Sequence, residues 1–147
     1  MSMMMLLGAL SASLAGADGG HLHSTTIEHR GAPVNVAYHA TTALSTRQVG
    51  MSPPTRTGGV VRCTWVAKVA VERRMTRGGG ATVSRVVDSE LQLKGSSPGT
   101  CTGAKKTIGR EVAERNDEVR NHVLAVAERD RATLLAELEA AARPNAS

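Results

Sequence analysis

Residues 60–71 read VVRCTWVAKVAV. Val61, Cys63, Trp65, Ala67, Val69 and Val71 occupy the odd positions, and Arg62, Thr64, Lys68 and Ala70 fall among the even ones. A two-residue apolar period is the signature of a strand with one buried face. This strand places a cysteine on its buried face beside the single tryptophan of the chain.

Three other stretches have the same character. Ser24–Arg30 (STTIEHR) is short and β-branched, and the Gly31-Ala32-Pro33 turn signal follows it. Val34–Thr46 sets Val34, Val36, Tyr38 and Ala40 against Asn35, His39 and Thr41. Thr82–Lys94 sets Val83, Val87, Leu91 and Leu93 inward, with Ser84, Asp88, Glu90, Gln92 and Lys94 outward. Gly50–Gly59, Arg74–Ala81 and Gly95–Gly103 carry the glycines and prolines of loops.

From Ala104 the period changes. Ile108, Val112, Val119, Val123, Val126, Leu134, Leu138 and Ala141 recur at steps of three, four or their sums, until Pro144. That is an amphipathic helix. Gly109 and Asn116-Asp117 are soft points where it can break, and Lys105 and Lys106 oppose the helix dipole at its start. Unbroken, the helix would run roughly 57 Å and overhang the sheet. The fold expected is α+β: a four-stranded antiparallel meander over 24–94, with a long C-terminal helix over about 104–142 packed on one face.

The amino terminus points to export. Met3–Ala17 is uncharged and apolar, too short for a comfortable bilayer span of ~20 residues. It ends Ala15-Gly16-Ala17, a small-x-small cleavage pattern, ahead of polar Asp18-Gly19-Gly20. The pattern lacks the usual basic residues at its start. The reading is a signal peptide over 1–17 with cleavage after Ala17, a flexible leader over 18–23, and one domain over 24–147, secreted or periplasmic.

Compartment decides what the cysteines do. There are only two, Cys63 and Cys101. No CxxC motif exists and the five histidines are scattered, so a metal site is not indicated. A catalytic thiol needs an exposed, electropositive setting, whereas Cys63 points with Trp65 into the core. In an exported chain a Cys63–Cys101 disulfide is favoured. A hairpin centred on the 74–81 loop would put Cys63 opposite about Leu91–Leu93, with Cys101 in the loop just beyond.

Charge gives the remaining clue. The chain carries +5, and all of the excess lies in 18–94, with ten basic and five acidic groups; 95–147 holds eight of each. In a meander, Arg30, Arg73, Arg74 and Arg77 gather at one end of the sheet, as the candidate anion-binding set. Arg47, Arg56, Arg62 and Lys94, with Lys105 and Lys106, gather at the other. Asp88 and Glu90 are read as cross-strand partners of Lys68 or Arg62.

His21 and His23 are leader residues one position out of register for an amino-terminal metal site, and His39 is a surface residue. Gly78-Gly79-Gly80 lacks the lysine and helix of a phosphate loop. No nucleophile–base set is present, and no cofactor is implied. The function expected is therefore a non-catalytic binding module for a partner protein or a polyanionic envelope component, with self-association through the C-terminal helix. The alternatives are a basic nucleic-acid-binding protein and a small hydrolase. With Tyr38 and Trp65 both facing inward, the first of these has no aromatic to stack on bases.

Overall fold

In the computed structural model, which describes residues 22–50 and 61–143, four strands form one antiparallel sheet in the order β1-β2-β3-β4. They are β1 (Leu22–His29), β2 (Ala32–Val49), β3 (Arg62–Arg77) and β4 (Thr82–Pro98). Two helices follow, α1 (Lys105–Glu114) and α2 (Asn116–Ala142). The expected signal segment, the first residues of the leader and most of the 50–59 loop lie outside the described residues.

The first turn differs in detail from the Gly31-Ala32-Pro33 signal. His29 pairs with Ala32, leaving Arg30 and Gly31 as a two-residue turn. Both have positive φ, 52° and 76°. That is the turn geometry that matches the twist of a hairpin. Pro33 then lies inside β2, one residue before β3 pairing begins at Val34–Arg77. There its missing N–H deprives no neighbour. The strand also begins at Leu22, so the last two leader residues belong to the sheet.

β3 runs on to Arg77, and the turn is confined to Gly78–Gly80, with the Gly80 N–H donating to Arg77 O at 2.9 Å. Beyond it, β4 slips twice against β3, between Val69 and Val71 and again between Val71 and Glu72. Each slip is an extra residue of the bulge kind. Two consequences correct the simple alternation. Cys63 faces Ser97 rather than Leu91–Leu93, because the slips and the tighter turn move the register. Asp88, expected outward, faces Val71 and the helix side. Gly95 lies opposite Trp65, and a Cβ there would overlap the indole; the missing side chain makes room for the ring.

The helix breaks at Arg115, beside the soft Asn116-Asp117 point. The Arg115 N–H donates to Val112 O at 3.1 Å, and its guanidinium reaches back to Lys94 O at 3.1 Å and to Glu118 at 2.9 Å. The break removes the overhang, since α2 alone is about 40 Å long. Val119, Val123, Val126, Leu134 and Leu138 bury one stripe of α2 on the sheet. Opposite them are Val34, Val36, Tyr38, Val69, Val71 and Leu93. Cys63 and Cys101 form the disulfide, with Cα atoms 4.8 Å apart, and so fasten the start of β3 to the entry of α1. Trp65 Nε1 donates to Glu111 of α1 at 3.0 Å. Among the described residues, no helix is long and apolar enough to cross a membrane.

Candidate anion-binding face

The sheet has a covered face and an open one, and the basic residues divide between them. On the covered face they are held by α2. Arg73 follows the inward phase of β3 and is 3% exposed. Its guanidinium donates to Asp130 Oδ2 at 2.7 Å and to Glu137. Tyr38 donates its hydroxyl to the same Asp130 oxygen at 2.9 Å, and Arg85 joins Glu137 from β4. Burial lowers the Arg73 pKa, but the hydrogen bond and charge of Asp130, aided by Glu137, outweigh it and the net shift is upward. Tyr38 is raised, first by burial and then by its bond to Asp130.

Nearer the sheet end, His29 Nε2 lies 2.6 Å from Glu139 and its Nδ1 3.2 Å from Arg77. Arg30 donates to Glu139 at 3.0 Å. At the other edge His122 and Arg129 flank Asp88, at 2.7 and 3.6 Å.

The four arginines of the expected cluster are therefore at one end of the sheet but not on one surface. Arg73 and Arg77 turn toward α2, Arg30 caps the first turn, and Arg74 lies on the opposite face against Glu72 at 2.6 Å. Each has an internal partner.

Glu139 is held down to about pH 2 by the Arg30 hydrogen bond and then by His29. A depressed carboxylate contributes stability above its unfolded value, about 4.5, which is lost as pH falls through its folded value. Glu139→Gln is expected to be slightly less stable than wild type at neutral pH. The gap should close as the solution is taken from about pH 4.5 toward pH 2. Urea melts across that range check it, and a pH-independent gap refutes the pairing.

The open face carries a different set. Alternation and register stack its residues in rows across three strands. Val49, Arg62 and Pro98 form the first row, and Arg47, Thr64 and Ser96 the second. Ser45, Val66 and Lys94 form the third, and Ala43, Lys68 and Gln92 the fourth. Arg47, Arg62, Lys68 and Lys94 are all exposed, and no acidic residue stands in these rows. Among the described residues, none of the four is ion-paired. Arg62 donates to Ser96 Oγ at 2.9 Å, which aims its guanidinium across the strands. Rows lie roughly 7 Å apart and strands about 4.8 Å apart. Charges in adjacent rows therefore sit within about one Debye length at physiological salt, and the set spans roughly 21 Å from Arg62 to Lys68.

Three of these residues belong to the second group of basic residues in the sequence. Lys68 does not meet Asp88 or Glu90 across the strands: Gln92 lies beside it, and the bulges turn Asp88 to the helix. Lys105 and Lys106 are exposed on the first turn of α1, on the covered side of the sheet. Among the described residues no three His, Cys, Asp or Glu side chains assemble as a metal site. Comparison with protein-family models, curated proteins and solved structures finds no match to this chain.

Proposed function

We propose that this protein is a non-catalytic binding module, exported after cleavage at Ala17, whose open sheet face captures a polyanionic component of the cell envelope or its surroundings. The observation that carries the reading is the set Arg47, Arg62, Lys68 and Lys94, without an ion-pair partner among the described residues, on a sheet whose arginines Arg30, Arg73, Arg74 and Arg85 are paired to carboxylates of the same chain. Two guanidinium groups on such a face favour bidentate contact with sulfate, phosphate or carboxylate groups. The disulfide suits an oxidising compartment. Tyr38 and Trp65 are both buried under the helices, so the face offers no stacking platform for nucleic-acid bases. The Tyr38–Asp130–Arg73 group, the other concentration of polar chemistry, is spent on its own hydrogen bonds.

Heparin serves as the probe. Replacing Arg47, Arg62, Lys68 and Lys94 by Ser is expected to weaken binding by roughly fourfold to several hundredfold at low salt, at about 0.2–1 kcal/mol per exposed contact. Wild-type binding should fall steeply with salt. Replacing Arg129 and Arg131 on α2 should change it far less. Titration calorimetry over a salt series, with thermal melts as the fold control, decides the matter. Equal losses in the two variants would reduce the effect to net charge and remove the face from the proposal.

A further inference from the structure

Ten residues of β2 have a neighbour on one side only. β1 begins at Leu22, opposite His39, while β2 pairs with β3 from Val34 to Val49. The outer edge from Ala40 to Val49 therefore faces no strand among the described residues. Edges of this length are ordinarily shortened, bulged, or guarded by lysine or proline. This one reads ATTALSTRQV, unbroken, with Arg47 its single charge. Leu44 is 48% exposed at its centre.

Beside the edge runs a groove of about 550 Å³ between β2 and the helices, bounded by Ala40, Leu44, Gly109, Val112 and Val119. A second hollow of about 390 Å³ continues it past Thr46 to Ile108. Backbone donors and acceptors along an edge, with an apolar groove beside them, are what a docking strand requires.

We propose that the occupant is a second copy of this chain, paired antiparallel through the same stretch of β2 about a two-fold axis. The low charge of the stretch selects it, and two-fold symmetry then fixes the register. A self-paired strand meets its own sequence, so low charge is needed, and the stretch has it. Partners across the axis must share a face, so paired residue numbers must add to an even value. Among such registers, a sum of 90 gives the longest overlap that does not run into Leu22. It pairs Thr41 with Val49, Ala43 with Arg47, and Ser45 with Ser45 of the other copy.

In this register Leu44 of each copy lies opposite Thr46 of the other, above the hollow that reaches Ile108. Arg47 lies opposite Ala43, which keeps the two Arg47 charges apart. The result is one eight-stranded sheet with both open faces on the same side, so the cationic surface is doubled. The partner surface is thus the sheet edge, whereas the apolar stripe of α2 is already used on the sheet.

The test uses the oxidised mature chain, in which Cys63 and Cys101 are already joined. Sedimentation equilibrium over the micromolar range should give twice the chain mass. Leu44→Lys should give a monomer with an unchanged circular dichroism spectrum. Ser45→Cys should cross-link between copies on mild oxidation. Thr41→Cys should not, since the two copies of position 41 lie about 27 Å apart in this register. A wild-type monomer overturns the proposal, whether the edge is then bare or covered by the chain ahead of Leu22. So does a dimer that survives Leu44→Lys, or equal cross-linking at positions 41 and 45.

Discussion

Asp130→Ala is expected to lower the unfolding free energy by about 3–5 kcal/mol, the range for removing one partner of a buried ion pair. Asp130 is 9% exposed and its Oδ2 accepts from both Tyr38 and Arg73. Truncation leaves the Arg73 guanidinium with Glu137 alone to oppose the cost of its burial, and a phenol that has lost its acceptor. For a domain of this size the loss is a large share of the total, about 5–15 kcal/mol. Replacing Arg73 and Asp130 together by Met and Leu should recover most of it, because no unpaired charge then remains. Urea melts of the single and double variants provide the measurement. A single-variant loss under about 1 kcal/mol would mean that water reaches the pair.

Removal of the disulfide should cost a similar amount. Cys63 and Cys101 are 38 positions apart, and closing a loop of that length is worth roughly 4 kcal/mol in the chain-entropy account. Cys63→Ser, Cys101→Ser and the double variant should therefore be alike in stability, and the wild type should fall to their level on reduction. Native protein should show no free thiol. If the double variant were much less stable than either single one, the two sulfurs would be acting independently. A core with no Phe and single Tyr and Trp residues has little else of comparable size to offset the loss.

The same pair of predictions shows what could be read from the chain and what could not. The strands and the helical stripe followed from period alone, because β3 keeps strict alternation from Cys63 to Arg73 and α2 keeps steps of three and four. The disulfide followed from having only two cysteines and one exit from the sheet. The polar seam under α2 was present in the same periods. Arg73 is the next inward position after Val71, and Asp130 lies between Val126 and Leu134 in the buried stripe. Each in isolation resembles a surface charge; only their meeting across sheet and helix explains their burial.

The slips in β4 had no sequence signal. VVDSEL contains neither glycine nor proline, and Val87, the extra residue at one slip, packs against the core. They decide where Asp88 and Lys68 point, and so the unpaired cationic face could be only partly assembled from the strand pattern.

The cross-link has a mechanical meaning as well. β3 from Cys63 onward, β4 and the turn between them lie inside the loop that it closes. When the chain is pulled by its two ends, tension runs through the sulfur bridge and bypasses the whole hairpin. About 38 residues are withheld from extension, a contour of roughly 130 Å at ~3.4 Å per residue. A load can peel β1, β2 and the helices while the central hairpin stays folded as a clasp. The strand partners of Arg62, Lys68 and Lys94 would then remain in register under load.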